Sequence, residues 1–359
     1  MIFQRAVQRE FLQTAVPVFV ALFAILLTTQ LIRLLAQAAG GKIAPEAVVA
    51  LLGFGALNYL PTLLSLTLFI AVLLTLSRSY RDSEMVIWFS AGISLAAWIK
   101  PVVKFALPLV AAIAVLSLFL SPWALMKSAE FRRQMDQRGD LAKVTPGAFN
   151  ESSQADRVFF VEAVAGDENR VKNVFISSVQ QGRLGVVAAA QGHSETAANG
   201  DRFMVLEKGR RYEGTPGTAA YRVMDFERYA VRMEGGDSKA VQQTQKELPL
   251  WELIIDPTPI NLSELLWRIG IPLSACNLAL LAIPLSFVNP RAGRTNNLIF
   301  ALLTFMTYSN LISLSQAWVL QGRLPFGVGV WLVHCAMFAV LLLLFSRRVV
   351  LFSWGRLWR

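Results

Sequence analysis

Acidic residues are scarce in nearly two thirds of this 359-residue chain, because only five of its 24 Asp and Glu lie outside residues 124–258. That outer part carries 16 Lys and Arg, whereas the segment 124–258 balances 18 Lys and Arg against 19 Asp and Glu. The net charge of +10 therefore belongs to the acid-poor part, where basic residues stand in short stretches between long apolar runs. This placement is typical of a membrane topology signal and argues against a nucleic-acid-binding surface.

Cysteine and histidine are also rare, with two of each in the chain. Cys276 and Cys335 both lie in apolar runs, so the polar segment has no disulfide framework. Gly40-Gly41-Lys42 is followed by Ile43, which breaks the phosphate-binding pattern GxxxxGK[ST], and HExxH, GxSxG and CxxC do not occur. The sequence thus predicts no catalytic residue, no metal site and no cofactor bound by the chain itself.

Six apolar runs are each long enough to cross about 30 Å of hydrocarbon, which takes about 20 residues. They cover residues 12–36, 48–77, 101–123, 265–288, 297–319 and 328–346. The first run exceeds the usual ~7–15 apolar residues of a signal peptide, so we expect it to be retained. The sequence predicts a membrane α-helical protein with three spans on each side of the polar segment.

Basic residues predict the orientation of these spans, since short loops rich in Lys and Arg stay in the cytoplasm. Six spans place twelve such residues on one side: Arg5, Arg9, Arg78, Arg81, Lys100, Lys104, Arg291, Arg294, Arg347, Arg348, Arg356 and Arg359. The short loops of the other side hold Lys42 and Arg323. We therefore predict two cytoplasmic termini and an exported segment at about 124–262.

The exported segment has the pattern of an all-β domain. Short runs rich in β-branched and aromatic residues predict strands at 157–164, 171–178, 184–191, 203–208, 219–226 and 227–233. Their spacing of roughly ten residues favours an antiparallel sandwich or jelly roll, with a filled core or an apolar groove inside it. Residues 124–143 predict a helix that continues the third span, and 239–263 predict an extended linker to the fourth.

The cytoplasmic loop 79–94 predicts a short helix at about 82–92. Asp82 or Ser83 can cap its N-terminus, Glu84 suits its first turn, and Gly92 can end it. This element is either an amphipathic interfacial helix or a coupling helix that docks on a cytoplasmic motor. If the element is a coupling helix, the residues predicted to contact the motor are Arg81, Asp82, Ser83, Glu84, Met85, Trp88 and Phe89. Glu84 would be the polar anchor, and Met85, Trp88 and Phe89 the apolar plug.

Polar residues within the spans indicate a second kind of site. Arg33, Lys42, Arg268 and Arg323 lie near the exported side, where they either reach the outer headgroups or together bind an anionic lipid headgroup. Ser309, Ser313 and Gln316 form a stripe on the fifth span, which faces another helix or a cavity.

Three stretches resemble the LptF/LptG permease family of the lipopolysaccharide exporter, and LptF more than LptG. They are Glu264-Leu265-Leu266-Trp267-Arg268 with Leu281-Ala282-Ile283-Pro284-Leu285-Ser286-Phe287-Val288-Asn289-Pro290-Arg291-Ala292-Gly293-Arg294, the loop Arg81–Met85 with Trp88 and Gly92, and Gly322-Arg323-Leu324-Pro325 with Gly329, Trp331 and His334. The layout of three spans, a β domain and three spans matches across essentially the whole chain.

The resemblance implies a non-catalytic subunit in a bacterial inner membrane, paired with an LptG-like permease, an LptB-like dimeric ATPase that uses ATP and Mg²⁺, and an LptC-like jelly-roll protein. The substrate would be lipopolysaccharide, handed to a periplasmic bridge. Domains are then predicted at 1–123, 124–262 and 263–359.

A different class of protein stays open: a membrane-anchored periplasmic scaffold that recruits partners through its sheet edges. An ion-coupled carrier is disfavoured, because Glu10, Glu46 and Glu264 lie at span ends.

Overall fold

The computed structural model describes residues 2–40, 43, 45–142, 149–151, 157–165, 170–180, 183–196, 202–215, 221–232, 244–287 and 294–350. The chain divides into two compact units. One consists of Met1–Arg132 with Gln243–Arg359, and the other of Arg133–Gln242. Helices make up the first unit apart from its loops, and the second unit contains the strands.

Nine described α-helices follow the chain: α1 Ile2–Ala39, α2 Ala47–Arg81, α3 Glu84–Ser90, α4 Ile99–Val115, α5 Ser121–Ala142, α6 Leu250–Ile255, α7 Pro259–Leu285, α8 Arg294–Leu320 and α9 Phe326–Val350. A 3₁₀ turn at Leu95–Trp98 precedes α4, a π-turn at Leu116–Leu120 joins α4 to α5, and a 3₁₀ turn at Gln245–Glu247 precedes α6. The predicted helical extension of the third span is thus α5. The predicted extended linker is instead helical at Gln245–Glu247 and in α6, where Pro249 occupies the N-cap and leaves the helix intact.

Among the described residues, five stretches are long and apolar enough to cross a membrane: Arg5–Ala39, Ala47–Arg81, Leu95–Arg132, Pro259–Leu285 and Phe326–Arg348. They correspond to five of the six predicted spans. The remaining one is α8, whose 27 residues are long enough at ~1.5 Å each. It is not among these five stretches, so the sixth span stays a prediction.

The helical core is centred on α2 and α7, which are largely buried, whereas the membrane-length part of α1 is only 6% buried. Large side chains with almost no exposed surface fill this core, among them Phe69, Leu73, Trp98 and Leu278. Along α1, Val7, Phe11 and Ala15 are buried near the N-terminus, and most of the helix beyond them is exposed. The exposed apolar side chains of α1 are a surface suited to lipid or to another membrane subunit.

A buried polar cluster joins α7, α8 and α9. The Asn277 side-chain amide donates to the Tyr308 hydroxyl (3.0 Å) and to the His334 carbonyl (3.1 Å). The Tyr308 hydroxyl also lies 2.7 Å from Nδ1 of His334. Because polar groups in hydrocarbon need partners, these bonds favour one register of the three helices. They hold α8 against α7 and α9.

Gly329 allows α9 to approach α7 and α8 closely. A Cβ here would overlap the Val319 side chain and lie 3.1 Å from Leu266, and the Gly329 carbonyl accepts a hydrogen bond from Ser315 (2.7 Å). Gly327, two residues earlier on α9, has nothing within 4 Å of its Cβ position among the described residues.

We expect Gly329→Val to destabilise the helical unit by about 1–3 kcal/mol, as overpacking usually does. Thermal unfolding of the purified protein in detergent measures the effect. Gly327→Val is the matched control, since it adds the same side chain to the same helix in open space. Equal unfolding midpoints for the two variants would contradict the packing role of Gly329.

The second unit contains one antiparallel sheet in the order β1-β2-β3-β4-β5-β6. Its strands are β1 Phe149–Glu151, β2 Arg157–Ala165, β3 Arg170–Gln180, β4 Arg183–Thr196, β5 Arg202–Gly214 and β6 Tyr221–Arg232. Val174, Ile176, Val187, Ala189, Met204 and Leu206 form its buried core. The predicted class, apolar helices with an inserted antiparallel β domain, is confirmed. The described strands pair in sequence order, as in a meander.

A crease crosses the sheet where one residue in each strand from β2 to β6 leaves the ladder of paired residues, while the register stays the same on both sides. These residues are Glu162, Asn173, Ala190, Lys208 and Glu227. Two of them have a left-handed backbone, Asn173 with φ 51° and Lys208 with φ 53°. Left-handed backbone departs from the extended conformation of a strand, so the strands bend at these residues.

The crease explains one wrong strand prediction. Residues 219–226 and 227–233 were predicted as two strands, but 221–232 form the single strand β6, which leaves the ladder only at Glu227. Residues 219, 220 and 233 lie outside the described residues. Since no turn residue separates Phe226 from Glu227, the chain bends there without reversing. Of the others, β2 to β5 occur where strands were predicted, β5 continuing beyond the predicted end at 208, and β1 was not predicted.

Candidate functional site

The helix α3 is held between two left-handed residues. Ser83, at its N-cap position, has φ 61°, and Gly92, beyond its end, has φ 82°. The Asp82 amide still donates to the Arg78 carbonyl (2.8 Å), so the turn into α3 follows directly from the end of α2. The Ser83 side chain makes no capping hydrogen bond, contrary to the predicted cap. At the other end, the Ile93 amide donates to the Trp88 carbonyl (3.0 Å).

The two faces of α3 differ in burial. Met85 is 1% exposed in the helical core, and Trp88 packs against that core. Val86, Ile87 and Phe89 are 65%, 67% and 39% exposed. The predicted apolar plug therefore needs correction: Met85 is held inside its own chain and cannot reach a partner from there. Val86, which the sequence reasoning missed, and Ile87 take its place beside Phe89. We call Val86, Ile87 and Phe89 the α3 face.

Charged residues tie α3 to α1 and α2. The Arg78 guanidinium lies 2.9 Å from the Glu10 carboxylate on α1 and 3.8 Å from the Glu84 carboxylate on α3. Glu84 also accepts a 2.8 Å hydrogen bond from the Ser79 hydroxyl. The predicted polar anchor Glu84 is thus engaged within its own chain, although its side chain remains partly exposed. Arg81 lies 3.7 Å from Asp82 at the edge of this group.

The structure does not bring the predicted headgroup residues that it describes to one surface. Arg33 on α1 and Arg323 between α8 and α9 are exposed. Lys42 lies outside the described residues. Arg268 is buried, with a side chain 3% exposed, so it neither reaches outer headgroups nor joins the exposed pair in this arrangement. Their binding to lipid stays a prediction.

Arg268 holds the segment 245–248 against α7. Its Nε donates to Glu264 (3.0 Å), which is also buried, at i and i+4 on the same helix. Its Nη atoms donate to the carbonyls of Leu248 (2.9 Å), Gln245 (3.1 Å) and Lys246 (3.1 Å). Four of the five N–H groups of the guanidinium are therefore occupied. The spacing of Glu264 and Arg268 was visible in the sequence, but their carbonyl partners were not.

A polar cavity of about 340 Å³ adjoins this ion pair. Polar side chains from several helices line it: Asn58, Ser117, Ser121, Lys246, Glu264, Arg268, Ser313 and Gln316. Two residues of the predicted α8 stripe, Ser313 and Gln316, thus face a cavity. Asn58 and Ser121 are joined by a 2.6 Å hydrogen bond across its wall.

The sheet has a wider groove of about 820 Å³ around the crease. Phe160, Phe175, Ala188, Ala190, Tyr212 and Arg210 are among its lining residues. Arg210 donates to Asp225 (2.6 Å), and this hydrogen bond raises the pKa of the Arg210 guanidinium, so the group stays charged. The small alanines and aromatic rings that line it leave room for an apolar ligand.

Comparison with known proteins gives consistent matches. The family model described as lipopolysaccharide export system permease LptF/LptG matches residues 5–347. The chain is 27% identical over 354 residues to the lipopolysaccharide export system permease protein LptF of Escherichia coli strain K12, which covers 96% of this chain and 94% of that protein. The proteins of that name from Escherichia coli O157:H7 and Shigella flexneri match with the same identity and coverage.

Proposed function

Since the chain belongs to the lipopolysaccharide export system permease family LptF/LptG, we propose that it is the membrane subunit of an ATP-driven exporter, moved by a separate ATPase that docks on α3. The observation that carries this proposal is the α3 face: three exposed apolar side chains on a helix whose other side is buried in the core. An apolar patch held rigidly at a helix surface is suited to a groove on a partner.

The orientation follows from the basic loops. Arg78, Arg81, Lys100 and Lys104 flank α3, and such residues are retained on the cytoplasmic side. The α3 face then meets a cytoplasmic, LptB-like ATPase that binds ATP and Mg²⁺, and both termini are cytoplasmic. The β domain lies in the periplasm of a bacterium, and the spans lie in its inner membrane.

The remaining partners follow from exposed surfaces. The apolar flank of α1, with that of α8, fits a second, LptG-like permease subunit with lipid between them. Arg33 and Arg323, with Lys42, would bind the phosphates of lipopolysaccharide at the outer leaflet. The β domain would pass the lipid to an LptC-like jelly-roll protein and onward to a periplasmic bridge, using the groove beside the crease.

Purification of the chain from bacterial membranes, followed by identification of the chains that co-elute, tests this function. We expect two proteins to co-elute with the chain in constant proportion to it: a soluble protein with a phosphate-binding loop and a second polytopic membrane protein. Recovery of periplasmic partners alone would contradict the proposal and favour a membrane-anchored scaffold.

A further inference from the structure

Arg78 occupies the junction of three elements, although it lies outside the α3 face. It belongs to the last turn of α2, and its Nη2 reaches both Glu10 on α1 (2.9 Å) and Glu84 on α3 (3.8 Å). Asp82, in the turn between α2 and α3, lies 4.0 Å from its Nε. One guanidinium is thus shared by carboxylates on both sides of it, and any movement of α3 changes how it is shared.

The helix α1 is positioned mainly from its first half. Val7, Phe11 and Ala15 are buried there, and Phe11 packs against Phe105 of α4 with ring centroids 5.3 Å apart. One turn beyond Glu10, the Thr75 hydroxyl donates to that of Thr14 (3.0 Å). Beyond this region α1 is largely exposed. Leu34 is buried further along, and α1 packs mainly against α2, so a small rotation imposed near Glu10 moves α1 relative to α2.

On the α3 side of Arg78, the Glu84 side chain is held in place. Glu84 begins α3, one of its carboxylate oxygens accepts from Ser79, and the other faces Arg78. Met85, the next residue, is buried in the core. A push on the α3 face therefore displaces the Glu84 carboxylate together with the helix, since the side chain is held at two points.

We propose that Arg78 is a positioning residue that links α3 to α1, so that movement of the docked ATPase reaches α1 through the sequence Glu84, Arg78, Glu10. This inference rests on the proposed function, since it needs a motor on the α3 face. The three side chains are partly exposed, and exposed ion pairs contribute little to folding. Their loss should therefore reduce coupling while the complex still assembles.

The test measures lipopolysaccharide released per ATP hydrolysed by the full complex in proteoliposomes. We expect Glu10→Gln to lower this ratio by at least about fivefold, the lower range of typical coupling between sites, with the ATPase still bound and hydrolysis still running. Arg78→Gln should reproduce the effect and Arg78→Lys, which keeps the charge, should restore most of the ratio. The double variant Glu10→Gln/Arg78→Gln should be no worse than Arg78→Gln, because both changes break one link.

Lys127→Gln is the matched control. It removes a 2.7 Å ion pair with Glu130 of similar exposure on α5, away from α3, and should leave the ratio unchanged. A normal ratio in Glu10→Gln, or additive losses in the double variant, would overturn the role of Arg78. If the complex does not assemble with the Arg78→Gln variant, the ratio measured for Glu10→Gln alone decides whether the proposal holds.

The failure of this inference differs from that of the proposed function. If Ile87→Asp on the α3 face sheds the ATPase while Glu10→Gln keeps a normal ratio, only the relay is overturned. If Ile87→Asp leaves the ATPase bound and active in transport, the proposed docking itself is overturned, and the relay with it.

Discussion

Arg268→Met is expected to destabilise the helical unit by about 3–5 kcal/mol, the usual effect of breaking a buried ion pair on one side. Glu264 would stay buried without the partner of its hydrogen-bonded ion pair, and the carbonyls of Gln245, Lys246 and Leu248 would lose their donors. Thermal unfolding in detergent measures the loss. Trypsin cleavage after Lys246 gives a local readout, because the released segment should be cut faster.

Arg323→Met is the control, since it removes the same charge from an exposed position that was assigned the same headgroup role. It should leave the unfolding midpoint and the cleavage at Lys246 unchanged. If instead both variants keep normal stability and both lose binding to lipopolysaccharide, Arg268 is a headgroup residue and the structural interpretation of its buried contacts is wrong.

Ile87→Asp should remove the ATPase from the complex. A carboxylate at the centre of a docked apolar surface must be desolvated without a partner, which costs several kcal/mol. A loss of 4 kcal/mol corresponds to about a thousandfold weaker binding. Co-purification of the ATPase with the tagged chain measures the effect, and the amount of chain in the membrane checks insertion.

Ser94→Asp provides the comparison for this variant. Ser94 is exposed at the N-cap of the 3₁₀ turn Leu95–Trp98, a position that accepts Asp readily, and it lies four residues beyond α3. It adds the same charge to the same loop and should leave the ATPase bound. Equal loss in both variants would point to a general effect of charge in the loop instead of a contact at the α3 face.

The existence of α3 and its neighbours could be predicted because short-range signals define them. Glu84 in a first turn and Gly92 beyond the last turn place the helix within two residues of its observed bounds. Which side of a seven-residue helix faces the core is a tertiary property. Met85 was therefore assigned to the exposed plug, whereas contacts with the core bury it and leave Val86 and Ile87 outside.

The long-range contacts could not be predicted for the same reason. Glu10 and Arg78 are separated by 68 positions, and no periodicity links them. Arg268 was predicted to face outward because charges near span ends commonly reach the headgroups. The carbonyls that surround it come from a segment about 20 residues earlier, which was predicted as an extended linker and not as helical turns.

In the sheet too, local features could be predicted and long-range ones could not. Short runs rich in β-branched and aromatic residues located β2 to β5, because such side chains favour strands. The crease depends on the alignment of five strands, with Asn173 and Lys208 adopting left-handed backbone together. A single strand cannot reveal such an alignment, so the bend within β6 was predicted as the boundary between two strands.

The most direct test of the central claim is ATP-dependent release of lipopolysaccharide from proteoliposomes that contain this chain with its co-purified partners. The account predicts release with the intact complex, none with the chain alone, and none when Ile87→Asp prevents docking. Release that persists in the Ile87→Asp complex, or ATP hydrolysis by the isolated chain, would contradict it.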